Sequence, residues 1–346
     1  MGMKGFKGFE KDFSCGGKQY EENTTYEEYG EGCCHKGVMH FCEDPWEVLN
    51  HYDLVDGNGN LSEFAEVEAL GQVWNDGEKR ETNKIHVGAK LGLKGFLKAC
   101  IDFTLEKTNG TNLSGDSAQI GSSGDSAKIG SSGYYAKIGS SGDYAKIGSS
   151  GDSAQIGSSG DYAKIGSSGD SAQIGSSGYY AKIGSSGDYA QIGSSGDYAK
   201  IGSSGDYAKI GSSGDSAQIG SSGDSAKIGS SGYSAQIGSS GDYAKIGSSG
   251  DSAKIGSSGD SAKIGSSGNY AQINSTGEDA VIMCAGRKSK AKGKKGSWIT
   301  LAEWVKDEEK GRYVPICVKT ERVDGEKIKE DTYYTLKNGE FSEVEE

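Results

Sequence analysis

The chain has two prolines, four histidines and four tryptophans in 346 residues. So little proline excludes collagen-like, polyproline and proline-stiffened linker architectures. No apolar run approaches the eighteen or so residues that a membrane-spanning helix needs. The first residues, Met1-Gly2-Met3-Lys4-Gly5-Phe6, lack the hydrophobic core of a secretion signal. Phe6 also stands where N-myristoylation requires Ser or Thr. Basic charge is in deficit: 37 Lys and Arg against 49 Asp and Glu leave a net charge of −12. That balance argues against membrane association and strong nucleic-acid binding. Seven cysteines, an odd number, sit mostly in apolar contexts. They point to free thiols and a cytoplasmic location.

What the chain has instead is glycine, 58 residues of it, and the glycine is periodic. From Asp116 to Ile282 one nonapeptide is written nineteen times, as Asp-(Ser/Tyr)-Ala-(Lys/Gln)-Ile-Gly-Ser-Ser-Gly. Isoleucine recurs every nine residues from Ile120 to Ile282. A flexible Gly/Ser linker has no need of isoleucine in constant phase, whereas fixed-period self-similarity marks a solenoid. In Tyr198-Ala199-Lys200-Ile201 apolar and polar residues alternate, which predicts a short strand there and a turn over Gly202-Ser203-Ser204-Gly205-Asp206. Nine residues are too few to enclose a core. Two repeats make a coil of eighteen, with two strands and two corners. The expectation is therefore a mainly β chain: a two-sheet parallel β-solenoid over a thin Ile/Ala core, about 45 Å long at ~4.8 Å per rung.

The variable positions are the informative ones. Tyr and Ser each precede Ala in nine of the nineteen units, and the residue after Ala is Lys in eleven and Gln in seven. With eighteen residues per coil, Tyr144, Tyr162, Tyr180 and Tyr198 become neighbouring rungs, as do Tyr189 and Tyr207. Such ladders bury ring area and offer a binding surface. The lysines form a mild cationic stripe. Calcium-binding β-roll repeats, ice-binding threonine ladders and acidic DNA mimics all need patterns that this unit lacks.

The flanks divide the chain further: a small α+β domain over 1–92, a capping helix and solenoid entry over 93–115, the solenoid over 116–282, and a β-rich C-terminal cap over 283–346. Asp44-Pro45-Trp46-Glu47 reads as a helix start, with Asp44 as N-cap, Pro45 at the first position and Glu47 closing a capping box. The helix over Leu93–Glu106 is expected to close the open first coil. Lys337-Asn338-Gly339 predicts a tight hairpin turn. Cys33, Cys34, His40 and Cys42 carry suitable zinc chemistry, although no Cys-x₂-Cys spacing is present.

Two resemblances attach to these flanks. Lys4-Gly5-Phe6, Gly37-Val38-Met39-His40-Phe41-Cys42-Glu43-Asp44-Pro45, Glu66-Val67-Glu68-Ala69-Leu70-Gly71 and Gly296-Ser297-Trp298 resemble a family of uncharacterised phage and prophage proteins with Gly/Ser/Ala-rich repeats between such flanks. That resemblance implies context and no chemistry. The order of Lys4-Gly5, then Gly37 to Tyr52, then Glu66-Val67-Glu68 resembles ADP-ribosyltransferases. It implies NAD as cofactor, Glu68 or Glu66 as the catalytic carboxylate, and His40 on the nicotinamide side. Lys4 replaces the Arg or His of that family, and its Ser-Thr-Ser strand is not visible. The expectation that follows is a cofactor-free structural protein that binds a protein partner or itself, with the transferase and a self-assembling filament as alternatives.

Overall fold

The computed structural model describes residues 2–30, 37–56, 59–107 and 115–345. The N-terminal domain comprises strands β1 (Met3–Phe9), β2 (Ser14–Cys15), β3 (Lys18–Gln19), β4 (Thr24–Glu27), β5 (Met39–Cys42), β6 (Glu63–Ala69), β7 (Val73–Asp76), β8 (Lys79–Thr82) and β9 (Lys84–Lys90), with helices α1 (Pro45–His51) and α2 (Gly92–Lys107). Seven strands form one sheet in the order β4-β9-β6-β1-β5-β8-β7. One apolar cluster holds Phe9, Phe41, Val67 and Ile85. The other, around the helices, holds Trp46, Leu49, Phe64, Phe96 and Leu97.

Helix α1 starts as its sequence dictates. Asp44 accepts from the Trp46 amide at 2.9 Å and Pro45 takes the first turn. The capping box is only half formed, because the Glu47 carboxylate turns outward to Lys146. An external cation has outbid the local amide.

Beyond it runs the solenoid, two 12-stranded sheets whose strands alternate along the chain. The first sheet takes Gln119–Ser122, Lys137–Ser140 and every second strand to Val281–Cys284. The second takes Lys128–Ser131, Lys146–Ser149 and every second strand to Lys290–Lys292. Pairing is parallel, with like residues in register eighteen apart, as in Ile183 against Ile201. Ile and Ala line the interior and are nearly all fully buried. The strand is phased differently from the sequence expectation. It runs Lys/Gln-Ile-Gly-Ser, so Ser203 is buried beside Ile201, and Tyr198 lies in the corner. Glycine and serine are small enough to continue the alternation, so the inward period of two extends through them.

At the corners Tyr144, Tyr162, Tyr180 and Tyr198 take φ of 54° to 57°, a region non-glycine residues rarely enter. Their conformation is held by ladders along the axis. Tyr144 N donates to Asp161 O at 2.8 Å, and the Asp143 carboxylate accepts from the Asp161 amide at 2.9 Å. The corner aspartates thus act as backbone acceptors for the next coil.

The C-terminal end closes each sheet with a hairpin. Trp298–Asp307 pairs parallel with Val281–Cys284 and turns back antiparallel as Arg312–Arg322. Tyr334–Lys337 joins Lys290–Lys292 and returns as Glu340–Glu343 through Asn338 and Gly339, both at positive φ. Lys290 and Lys292 lie over the Tyr333 ring.

Helix α2 does not sit over the open first coil. It lies along the outside of the second sheet, against the strands Lys128–Ser131, Lys146–Ser149, Lys164–Ser167 and Lys182–Ser185. Its apolar stripe needed a flat surface, and the sheet's glycine row supplies one.

Candidate functional site

That glycine row is the key to both faces. In every strand from Gln119–Ser122 to Lys263–Ser266 the residue after Ile points outward and is Gly, so a groove runs down each sheet between the Lys/Gln ladder and the corner. On the second sheet the N-terminal domain fills it from Gly148 to Gly238. A Cβ on Gly166 would lie 3.1 Å from Trp46 and one on Gly184 2.6 Å from Leu97. At Gly202 it would meet Leu54 at 3.0 Å, and at Gly238 the Gly59 carbonyl at 2.2 Å. On the first sheet, Gly139, Gly157, Gly175, Gly193, Gly211, Gly229, Gly247 and Gly265 would meet nothing within 4 Å. One sheet is covered and the other open.

Charge matches this division. Five consecutive rungs of the covered sheet carry lysine, from Lys128 to Lys200, and α1 with its following loop presents carboxylates to them. Lys128 and Lys146 approach Asp44 at 3.4 and 3.1 Å, and Lys146 also pairs with Glu47. Lys182 reaches Asp53 at 3.4 Å, and Lys200 pairs with the same carboxylate. Lys164 donates to the Trp46 carbonyl at 2.8 Å, and Lys182 donates to that of Leu49. The Trp46 indole ties the two helices, donating to Thr104 Oγ1 at 2.8 Å and Cys100 O at 3.1 Å.

The electrostatics follow from burial. Desolvation pushes the Lys164 amine down to about 8, with only partial relief from Glu47. Lys182 is lowered for the same reason, against the pull of Asp53. Burial also works against the Lys146 ammonium, but Glu47 and Asp44 outweigh it and its pKa rises. Asp53 is held below the usual carboxylate value because Lys200 and Lys182 overcome its partial burial.

The tyrosines stack as the eighteen-residue coil requires. Tyr144, Tyr162, Tyr180 and Tyr198 have ring centroids 5.0, 5.1 and 4.9 Å apart and planes within 9° of parallel. Tyr189 and Tyr207 stack at 5.5 Å. Between 39% and 58% of each residue's surface stays exposed. The column stands at a corner of the coil.

Of the residues expected of a transferase, Lys4 pairs opposite Glu68, and His40 lies two strands away from the glutamates. Glu66 and Glu68 lie on β6, an interior strand between β1 and β9. Glu68 accepts from the Gly2 amide at 3.0 Å. Phe6 of β1 pairs with both Glu66 and Cys42, so β1 separates the glutamates from β5. β5 and β6 run in the same direction. Going back from Cys42 to His40 and forward from Glu66 to Glu68 therefore moves the two apart. His40 instead holds Glu81 across strands, with Nε2 3.0 Å from Oε1.

Of the zinc candidates, Cys33 and Cys34 lie outside the described residues. Cys42 is buried beneath α1, where desolvation pushes its thiol up to about 12. Among the described residues the one three-ligand group is His40, Asp76 and Glu81, whose ligand atoms lie within 4.8 Å of one another. Lys79 Nζ stands 3.3 Å from Asp76 and supplies the positive charge that a cation would. The cluster therefore reads as an ion-pair patch beside α1.

Sequence reasoning missed the docking role of Asp44, Glu47, Asp53 and the lysine run. Its signal was present: taken at a period of eighteen, the Lys/Gln position of one sheet opens with five lysines in succession, Lys128 to Lys200, where the other sheet has glutamine at most positions.

In comparison with known proteins, a family model described as a domain of unknown function, DUF7666, matches residues 3–99. No curated protein and no solved structure matches the chain. The match covers the docked domain up to the middle of α2, and the solenoid lies outside it.

Proposed function

We propose that this is a non-enzymatic, phage-associated interaction protein of the bacterial cytoplasm, whose rigid solenoid displays repeated side chains to a protein partner. The observation that carries the reading is the exposed column of stacked rings from Tyr144 to Tyr198, spaced 4.9–5.1 Å apart. Repeated identical contacts on a rigid rod add without new ordering cost for each. The resemblance of both flanks to phage and prophage proteins supports the context. No helix among the described residues is long and apolar enough to cross a membrane.

The test compares wild type with the quadruple variant Tyr144→Ser, Tyr162→Ser, Tyr180→Ser and Tyr198→Ser. Serine already occupies this position in nine units, so the coil is retained. Both proteins are used to capture partners from host lysate, with radiolabelled NAD⁺ in a parallel reaction. The reading expects a partner lost from the variant and no label transfer. Label transfer abolished by Glu68→Gln would overturn it in favour of a transferase carried on a stalk. An unchanged capture pattern would remove the tyrosine column from the account.

A further inference from the structure

The covered sheet shows what a solenoid face of this kind accepts: carboxylates on the lysine ladder and apolar side chains in the glycine groove. The open sheet carries the same equipment, displaced toward its C-terminal half. Its outward ladder begins with glutamine at most positions, through Gln155, Gln173 and Gln191. It then becomes lysine in four consecutive rungs, Lys209, Lys227, Lys245 and Lys263, paired in register. Among the described residues none of these four makes an ion pair. The corner aspartates beside them are engaged otherwise: Asp206, Asp224 and Asp242 accept backbone amides of the next coil at 2.8, 2.9 and 2.8 Å.

At the end of that run the face turns apolar. Val281 takes the ladder position after Lys263, and Met283 takes the groove position after Gly265. Trp298 follows Val281 on the next strand. These three are 50%, 53% and 48% exposed. Isolated apolar residues on a surface are ordinary, but three in contiguous register at the end of a cationic groove mark a contact surface.

Resting on the reading of the solenoid as an interaction surface, we propose that the open sheet from Lys209 to Trp298 docks an acidic, apolar-ended helical segment of a partner protein. The lysine run on the covered sheet has its explanation inside the chain, in Asp44, Glu47 and Asp53. The run on the open sheet has the same spacing and the same adjoining groove. Its complement is therefore supplied from outside. Four rungs span about 14 Å at ~4.8 Å each. That is the rise of a helix of roughly nine or ten residues. Three carboxylates at the spacing of Asp44, Glu47 and Asp53, with large apolar residues at the places of Trp46 and Leu54, would repeat the arrangement on the covered sheet.

The probe is a fluorescein-labelled peptide with the sequence of residues 44–54, titrated by anisotropy against the full-length protein. Its counterpart carries Asp44→Asn, Glu47→Gln and Asp53→Asn. The protein variants are K209Q/K227Q/K245Q/K263Q and, separately, V281Q/M283G, which restore residues that other repeats already hold at those positions. The proposal expects one peptide bound per chain. It expects affinity about tenfold lower or worse in the lysine variant, the loss of one to two net ion-pair energies. A smaller loss is expected in the apolar variant, with no binding of the neutral peptide. Four outcomes overturn it: no binding to wild type, equal binding to the lysine variant, equal binding by double-stranded DNA of matched charge, or concentration-dependent dimerisation lost in the lysine variant. The last would make a second copy the occupant. None of these variants touches the Tyr144 to Tyr198 column, so failure here leaves the tyrosine test standing.

Discussion

The consensus nonapeptide holds two kinds of glycine, and they serve opposite purposes. The ninth residue, as at Gly205, closes the corner. A Cβ there would lie 1.9 Å from the Gly187 carbonyl oxygen of the coil before. The sixth residue, as at Gly211 on the open sheet, would meet nothing within 4 Å. Gly205→Ala is therefore expected to cost about 1–3 kcal/mol through a forced backbone shift. Gly211→Ala should be neutral or stabilising by up to ~0.5 kcal/mol, since alanine loses less backbone entropy. Urea denaturation of the two variants checks the pair, and equal losses would contradict the account. A sequence reader sees the same letter at both positions. The inward face was legible at residue scale, because Ala and Ile alternate with Lys. The end of the strand was not, since Gly-Ser-Ser-Gly resembles a turn while Ser203 continues the inward alternation. The corner's left-handed tyrosines were also hidden, because their support comes from Asp161 and its equivalents one coil away.

At the scale of elements, the decisive contact is α1 against the covered sheet. Lys164 lies at its centre, 8% exposed, donating to the Trp46 carbonyl. Its amine holds a proton less tightly when folded, at about 8, than at the ordinary lysine value of 10.5. The unfolded chain thus binds more protons across that interval, and stability rises as pH increases through it. The rise should approach the order of 3 kcal/mol relative to Lys164→Gln, in which it is absent. Denaturation of both proteins at pH 7.5, 9 and 10 measures the difference; a pH-independent gap would contradict this assignment. Glu47→Gln should act in the other direction. It leaves Asp44 as the carboxylate still facing the Lys146 ammonium and costs about 1.5–3 kcal/mol, the loss of one charge-assisted hydrogen bond, which unfolding of the variant would show. The start of α1 was legible, because Asp44-Pro45 encodes a cap locally. The extent of α2 was legible from its apolar spacing. What α2 covers was not, because an amphipathic stripe specifies that it must be covered and says nothing of the covering surface.

At the scale of the molecule, the solenoid behaves as a ruler. Two further copies of residues 246–263, inserted after Lys263, should add two rungs to each sheet. That lengthens the particle by about 10 Å, visible in small-angle scattering, with the unfolding midpoint unchanged. A disordered insertion would raise the radius of gyration and show unpaired amides in hydrogen exchange. A single added nonapeptide should instead turn the C-terminal cap by half a coil. It would part Tyr333 from the cleft that it shares with Gly59 and Gly92 on the covered side. The eighteen-residue coil was legible because nine residues cannot enclose a core, and the final hairpin because Asn338-Gly339 favours positive φ. The docking of the N-terminal domain was not legible. Lys128 to Lys200 look like ordinary solvated lysines until Asp44 and Asp53, distant in sequence, are set over them.

The measurement that tests the account most directly is zero-length carbodiimide cross-linking of the native full-length protein, read by peptide mass spectrometry. The account predicts amide bonds from Asp53 to Lys182 or Lys200 and from Glu47 or Asp44 to Lys128 or Lys146, with Lys209, Lys227, Lys245 and Lys263 free of intrachain links. Links from the N-terminal carboxylates to those four lysines, or to neither run, would contradict it.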